Sequence, residues 1–195
     1  IRVDPVMAEL TAPATAVGGS TIEVAFHGPE GWDDDLLSVI EPGATKFNRD
    51  SNVQLQRAET NAQTVSIRVP AIPGTYELAY FVNPGTQLVY RQPLEISPAQ
   101  ASVDAPDTVK AGESFEVSYS GDAFGGDRVV VVQADYADEK MWSVTARYGF
   151  FANEGETVGT VSPYPITAGP GQYEARYVTG QQHQILARDR FTVFE

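Results

Sequence analysis

The chain has 195 residues, no cysteine and a formal net charge of −13 at pH 7. Without cysteine it has no disulfide, no thiolate chemistry and no cysteine-based zinc site. An acidic surface repels nucleic acid and anionic lipid, and no apolar run approaches the roughly 20 residues of a membrane-spanning helix. We therefore expect neither a nucleic-acid partner nor a membrane span.

The first half of the chain has the pattern of short β-strands separated by tight turns. Ile22, Val24 and Phe26 alternate with polar residues, which is the period of a strand with one buried face. Turn signals rich in Gly and Pro recur at the spacing of a β-sandwich or a β-barrel. The predicted strands are 7–12, 20–27, 36–41, 53–58, 63–69, 75–83 and 87–96.

The second half of the chain repeats the first half. The segment Ala12–Gly28 matches Ala105–Gly121, and Pro73–Val82 matches Pro170–Thr179 in the same order. Two matched blocks in one order indicate a duplicated domain. The predicted strands of the second copy are 101–105, 113–120, 128–134, 141–149, 156–162, 172–179 and 184–194.

The repeat and the strand count together predict the architecture. We expect an all-β chain of two tandem Ig-like β-sandwich domains with about seven strands each, residues 1–97 and 98–195. No segment has a convincing helical period. Tyr76 and Tyr173 follow a Pro-Gly turn in the motif P-G-x-Y-E, which predicts a tyrosine corner in each domain.

Three motifs carry a resemblance to a known family. The patterns P-x₅-G-x₂-[FI]-E-V, P-G-x-Y-E-x-x-Y and [LI]-x-x-R-x-x-[LF]-x-[VI] occur in both copies, although the closing motif departs at Tyr90. They resemble bacterial tandem Ig-like repeats of secreted or periplasmic proteobacterial proteins, which often accompany a von Willebrand factor type A domain. The resemblance supplies no catalytic residue.

The resemblance implies a function outside catalysis. We expect a structural or interaction module (a spacer, an adhesion module or a protein-binding module) of an exported bacterial cell-envelope protein, located in the periplasm or outside the cell. Its partners would be another protein or other domains of the same polypeptide. The alternative is a carbohydrate-binding accessory module of a secreted enzyme or adhesin.

Acidic clusters leave calcium binding open as an alternative. Calcium takes several oxygen ligands, but neither cluster has the spacing of an EF-hand loop, so no metal site is predicted and at most weak calcium binding is expected. The residues concerned are Asp33, Asp34 and Asp35 in the first copy and Asp135, Asp138 and Glu139 in the second.

Other chemistry-bearing residues do not form a catalytic pattern. The two histidines, His27 and His183, lie in different copies, and no serine lies in a nucleophile-elbow sequence. We therefore predict no enzyme activity, no catalytic residue and no cofactor. Trp142 and Phe151 lie in an aromatic segment that the first copy lacks, and they would form a contact patch if both were exposed.

Overall fold

In a computed structural model of the chain, the described residues are 8–28, 35–46, 55–58, 64–82, 87–122, 124–152 and 157–195, without the side chains of 55–58, 146–148 and 151. The chain divides into two compact units, Ile1–Pro98 and Ala99–Glu195. Each unit pairs a three-stranded sheet with a five-stranded sheet. The predicted fold class is therefore confirmed: the chain is all-β, with two tandem Ig-like β-sandwich domains.

The strands of unit one form two sheets in the orders β1-β3-β6 and β2-β8-β7-β4-β5. The pairing between neighbouring strands is antiparallel except for β2 with β8, which are parallel. Their bounds are β1 (Glu9–Thr11), β2 (Thr15–Val17), β3 (Thr21–His27), β4 (Asp35–Ile40), β5 (Leu55–Ala58), β6 (Thr64–Arg68), β7 (Gly74–Val82) and β8 (Gln87–Ser97).

Unit two repeats this topology with sheets in the orders β9-β11-β14 and β10-β16-β15-β12-β13. A single 3₁₀ turn (Asp138–Lys140) and one α-helix are added between β12 and β13. The bounds are β9 (Ala101–Asp104), β10 (Thr108–Lys110), β11 (Val117–Gly121), β12 (Arg128–Gln133), α1 (Met141–Tyr148), β13 (Phe150–Phe151), β14 (Val158–Val161), β15 (Gly171–Val178) and β16 (Ile185–Phe194).

The repeated proline near the start of each copy marks a switch between sheets. Pro13 lies between β1 and β2, and Pro106 lies between β9 and β10, so the chain leaves the three-stranded sheet there and joins the five-stranded one. Proline has no amide donor and fixes φ, which suits a break in the ladder. The sequence pattern did not predict β2 and β10, which are short strands that closely follow these prolines.

Both units have the predicted tyrosine corner. The Tyr76 hydroxyl donates to the carbonyl of Ile72 at 3.1 Å, and the Tyr173 hydroxyl donates to the carbonyl of Gly169 at 3.0 Å. Both tyrosine side chains are buried in the core between the sheets. Each hydroxyl therefore ties the loop before the strand to the core, since a buried hydroxyl needs a partner.

A second contact is also duplicated. At the start of β4, the fully buried Asp35 accepts a 2.6 Å hydrogen bond from the hydroxyl of Tyr80. At the start of β12, Asp127 accepts from the hydroxyl of Tyr177 at 3.2 Å. Burial and the neighbouring carboxylate raise the pKa of both tyrosine hydroxyls. This contact fixes the loop that enters the central strand of each domain.

The predicted strand at 141–149 is wrong, and so is the expectation that no segment is helical. Met141–Tyr148 forms α1, with Met141 buried and Trp142 exposed. The helix covers the outer face of the five-stranded sheet, where Val130, Val132 and Val178 form a small second core with Met141. Packing of α1 against this apolar outer face removes it from water, and that gain outweighs the weak local preference of the segment 141–149 for a strand.

Candidate functional site

The two units also differ where the three-stranded sheet ends. In unit one, pairing of β3 with β6 continues through Ile22 opposite Ile67. In unit two, pairing of β11 with β14 stops at Val117 opposite Val161. By this register Pro163 occupies the position of Ile67, and proline cannot donate to the ladder. The strand therefore ends early, and the segment 162–168 leaves the sheet.

A pocket of about 400 Å³ lies where this segment leaves the sheet. Its volume is in the range of small-molecule sites, about 300–1,000 Å³. The lining is mainly apolar and consists of Val131, Phe150, Pro163, Tyr164, Pro165, Ile166, Thr167, Ala168 and Tyr173. Phe150 and Val131 pack against the core of unit two, so the pocket is an opening into the edge of the sandwich.

The rim of the pocket is aromatic and then polar. Tyr164 is 71% exposed, and its ring centroid lies 5.3 Å from that of Phe150 with the planes tilted by 55°. A second depression shares Tyr173 as a wall and is lined by Gln133, Asp135 and Gln172 among others. Amide and carboxylate groups therefore adjoin the aromatic pocket.

A cluster of charged side chains covers the outer face of the same unit. Glu174 is fully buried, and its carboxylate accepts from Arg176 at 2.9 Å and from Arg190 at 2.7 Å. Arg176 is itself buried and also donates to the carbonyl of Tyr136 at 2.9 Å, in the loop before α1. The cluster thus ties that loop to the sheet.

The charges in this cluster determine the protonation of its acids. Burial works to raise the pKa of the Glu174 carboxyl, but hydrogen bonds from Arg190 and Arg176 hold that pKa below its ordinary value. A hydrogen bond from Arg188 likewise lowers the pKa of Asp138. Both carboxylates are ionised at neutral pH and bound to guanidinium groups, which makes this a structural ion cluster.

The acidic residues considered for calcium have different positions. Asp33 and Asp34 lie outside the described residues, whereas Asp35 is buried against Tyr80. Asp138 pairs with Arg188 at 2.9 Å and with Arg176 at 3.2 Å. In the part of the chain that the structure describes, no group of three acidic or histidine side chains is placed to hold a metal ion, so Asp135, Asp138 and Glu139 do not form a site there.

The aromatic patch expected from the sequence is only partly described. Trp142 is 63% exposed on α1. The side chain of Phe151 lies outside the described residues, so the pairing of these two aromatics stays a prediction. His27 ends β3, and His183 lies in the turn after β15 with φ of 49°. Burial lowers the pKa of His183.

The sequence interpretation missed the pocket. The sequence feature that marks the pocket is Pro163-Tyr164-Pro165, which stands where the first copy has Ile67-Arg68-Val69. Two prolines that flank an aromatic residue at the end of a strand interrupt the β-pattern. Alignment of the two copies through this segment would have found them.

Comparisons with known proteins concern the fold. No protein-family model matches the chain, and no curated protein matches it. The BSP domain of a biofilm-associated protein is 15% identical with a TM-score of 0.34, over 96% of this chain and 29% of that one. The fibronectin(III)-like modules of Clostridium thermocellum CbhA are 12% identical with a TM-score of 0.30, over 96% and 93%.

A two-domain fibronectin type III segment of chicken tenascin is 11% identical with a TM-score of 0.33, over 98% of this chain and 100% of that one. The chain spans less than a third of the biofilm-associated structure, 29% of its length. At these values the likeness carries no argument about binding. None of the helices in the described residues has the length and apolar character needed to cross a membrane.

Proposed function

We propose that this chain is a non-catalytic spacer module of an exported bacterial cell-envelope protein, located in the periplasm or outside the cell. In this role the two sandwiches would keep neighbouring domains or protein partners at a distance from each other and would stay folded while the chain is under tension. One observation carries the proposal: in each unit the strand that follows the sheet switch pairs in parallel with the last strand.

The parallel pairing is the same in both units. In unit one, β2 lies alongside β8, the amide of Glu95 donates to the carbonyl of Ala14 at 2.9 Å, and the amide of Gly18 donates to that of Ser97 at 2.8 Å. In unit two, β10 lies alongside β16. There the amide of Ala111 donates to the carbonyl of Phe194 at 2.8 Å.

This geometry suits resistance to a pulling force. We call the parallel pair of each unit, β2 with β8 or β10 with β16, its clasp. Because the two strands run in the same direction, the chain enters the clasp at one end and leaves it at the other. Tension along the chain therefore loads the hydrogen bonds between the two strands in shear, and several bonds must break together. Forced unfolding depends on the unfolding barrier, which such a clasp raises.

The repeated side-chain contacts also favour a scaffold role. The duplicated tyrosine hydroxyls bond to a loop carbonyl or to a buried aspartate of their own unit. Groups bound in this way position loops and strands and are not available to a substrate. The residues that the two copies share are therefore explained by stability.

Single-molecule force spectroscopy on the full chain tests the proposal. We expect two unfolding events, each releasing roughly 30 nm of chain at about 3.5 Å per residue. The variant Ala111→Pro removes one clasp donor in unit two. It should lower the force of one event and leave the other unchanged. Ala111→Ser keeps the donor and is the matched control.

Two results would contradict the spacer role. In one, both units extend at low force without resolved events. In the other, Ala111→Pro unfolds at the same force as Ala111→Ser, which would mean that the clasp bears none of the tension.

A further inference from the structure

We propose that the pocket beside Tyr164 in unit two binds a neutral sugar ring. This site is additional to the spacer role and does not depend on it. It takes up the carbohydrate-binding alternative and gives it a location. The inference rests on the origin of the pocket, on the chemistry of its walls and rim, and on the charge around it.

The first unit shows that the same fold can close this edge. There Ile67 in β6 and Val69 directly after it are both fully buried, as is Val39 on the facing sheet. In unit two, Pro165 stands at the position of Val69 and is exposed, and Val131 stands at that of Val39 and is only half-buried. An open cavity costs stability. The two prolines keep this one open because neither can donate a backbone hydrogen bond that would extend β14.

The walls offer a surface for the apolar face of a sugar. A sugar ring presents C–H bonds on one face and hydroxyl groups around its edge. Tyr164 supplies an exposed aromatic ring, and Phe150 lies beside it at the mouth of the pocket. The two ring planes are tilted to each other by 55°, so one sugar face can stack on only one of them, and Tyr164 is the exposed ring.

The rim offers partners for the hydroxyl groups. Within the described residues, the hydroxyls of Tyr164 and Thr167 have no hydrogen-bond partner, and neither do the side-chain groups of Gln133 and Asp135. Val131 and Gln133 are two residues apart on β12, so their side chains lie on the same face. The apolar pocket is therefore followed along the strand by groups that can donate to and accept from hydroxyls.

The charge around the pocket favours a neutral sugar. Asp135 is an exposed carboxylate in the second depression, and no basic side chain lines either depression. The chain as a whole carries a charge of −13. A sugar with a carboxylate group would be repelled, whereas a neutral hexose or N-acetylhexosamine would not.

Saturation-transfer NMR on the full chain tests the site. The probes are the methyl glycosides of glucose, galactose, mannose and N-acetylglucosamine in both anomers, with sialic acid as the acidic comparison. We expect signal from at least one neutral glycoside and none from sialic acid. Tyr164→Ala, at an exposed position, should weaken that binding about tenfold or more. Trp142→Ala removes an exposed aromatic outside the pocket and should leave binding unchanged.

A second variant tests how the pocket arises. Pro163→Ile with Pro165→Val gives these two positions the residues of the first copy, Ile67 and Val69, and keeps Tyr164. It should extend β14, close the pocket and abolish sugar binding while the unit stays folded. Absence of signal from every neutral glycoside would overturn the proposal, as would equal effects of Tyr164→Ala and Trp142→Ala. Preferential binding of a polypeptide at Tyr164 would also overturn it. None of these results changes the force measurement, which tests the spacer role alone.

Discussion

Removal of Arg176 should destabilise unit two far more than removal of Arg91 destabilises unit one. Arg176 is 1% exposed and pairs at 2.8 Å with Glu174, which is fully buried. In unit one, Arg91 pairs with Glu77 at the same distance, but the two side chains are 34% and 19% exposed. The two pairs have the same shortest nitrogen–oxygen distance and differ in burial, although Arg176 also contacts Glu174 through its Nε at 2.9 Å.

The expected magnitudes follow from that burial. Removal of one partner of a buried ion pair costs about 3–5 kcal/mol, whereas an exposed pair contributes less than about 1 kcal/mol. Glu174 keeps its 2.7 Å hydrogen bond from Arg190, so we expect about 3 kcal/mol for Arg176→Met. For a unit of this size that corresponds to a fall in Tm of about 15 °C. Arg91→Met should cost less than about 1 kcal/mol.

Hydrogen exchange with mass spectrometry during urea titration reads the two units separately, because peptides from each unit are distinct. The double variant Glu174→Leu with Arg176→Leu should recover most of the lost stability, since no charge is then left buried without its partner. Equal destabilisation by Arg176→Met and Arg91→Met would refute the reasoning, because burial would then not determine the cost.

Two further predictions concern buried polar groups. Tyr80→Phe removes a 2.6 Å hydrogen bond to Asp35 and should lower the free energy of unfolding of unit one by about 2 kcal/mol in urea denaturation. Tyr177→Phe removes a longer hydrogen bond, 3.2 Å, to Asp127 and should lower that of unit two by about 1 kcal/mol. Equal losses would contradict this order. Because the native pKa of Glu174 is depressed, its carboxylate stabilises unit two above about pH 4.5. That stability is lost as the pH falls through the native pKa. The Tm of unit two should therefore drop in acid more steeply in the wild-type chain than in the Glu174→Gln variant. Parallel profiles of Tm against pH for the two proteins would contradict this prediction.

Much of the scaffold could be read from local patterns. Alternation in Ile22, Val24 and Phe26 predicts β3, and the structure buries all three side chains. The tyrosine corners were predictable from P-G-x-Y-E because the turn and the tyrosine lie within a few residues of each other. Such features need only short-range information, since the strand period and the turn chemistry are local.

The candidate site could not be read in the same way. The side chains that line the pocket come from Val131, Phe150, Tyr173 and the segment 162–168, which are far apart in the chain. The sequence contains the two prolines, but their effect depends on the facing strand β11, which they can no longer pair with. Whether a strand that ends early leaves a filled or an open edge is a matter of packing.

The sequence by itself determined the duplication, because two matched blocks recur in the same order. It also determined most of the strands and the tyrosine corners, because these depend on residues close together in the chain. Only the tertiary structure decided that Met141–Tyr148 is a helix, because packing of this helix on Val130 and Val132 outweighs the weak local preference of the segment for a strand. The tertiary structure also decided that Asp35 is buried against Tyr80 and that unit two is open beside Tyr164. Those outcomes depend on which distant side chains fill the same space.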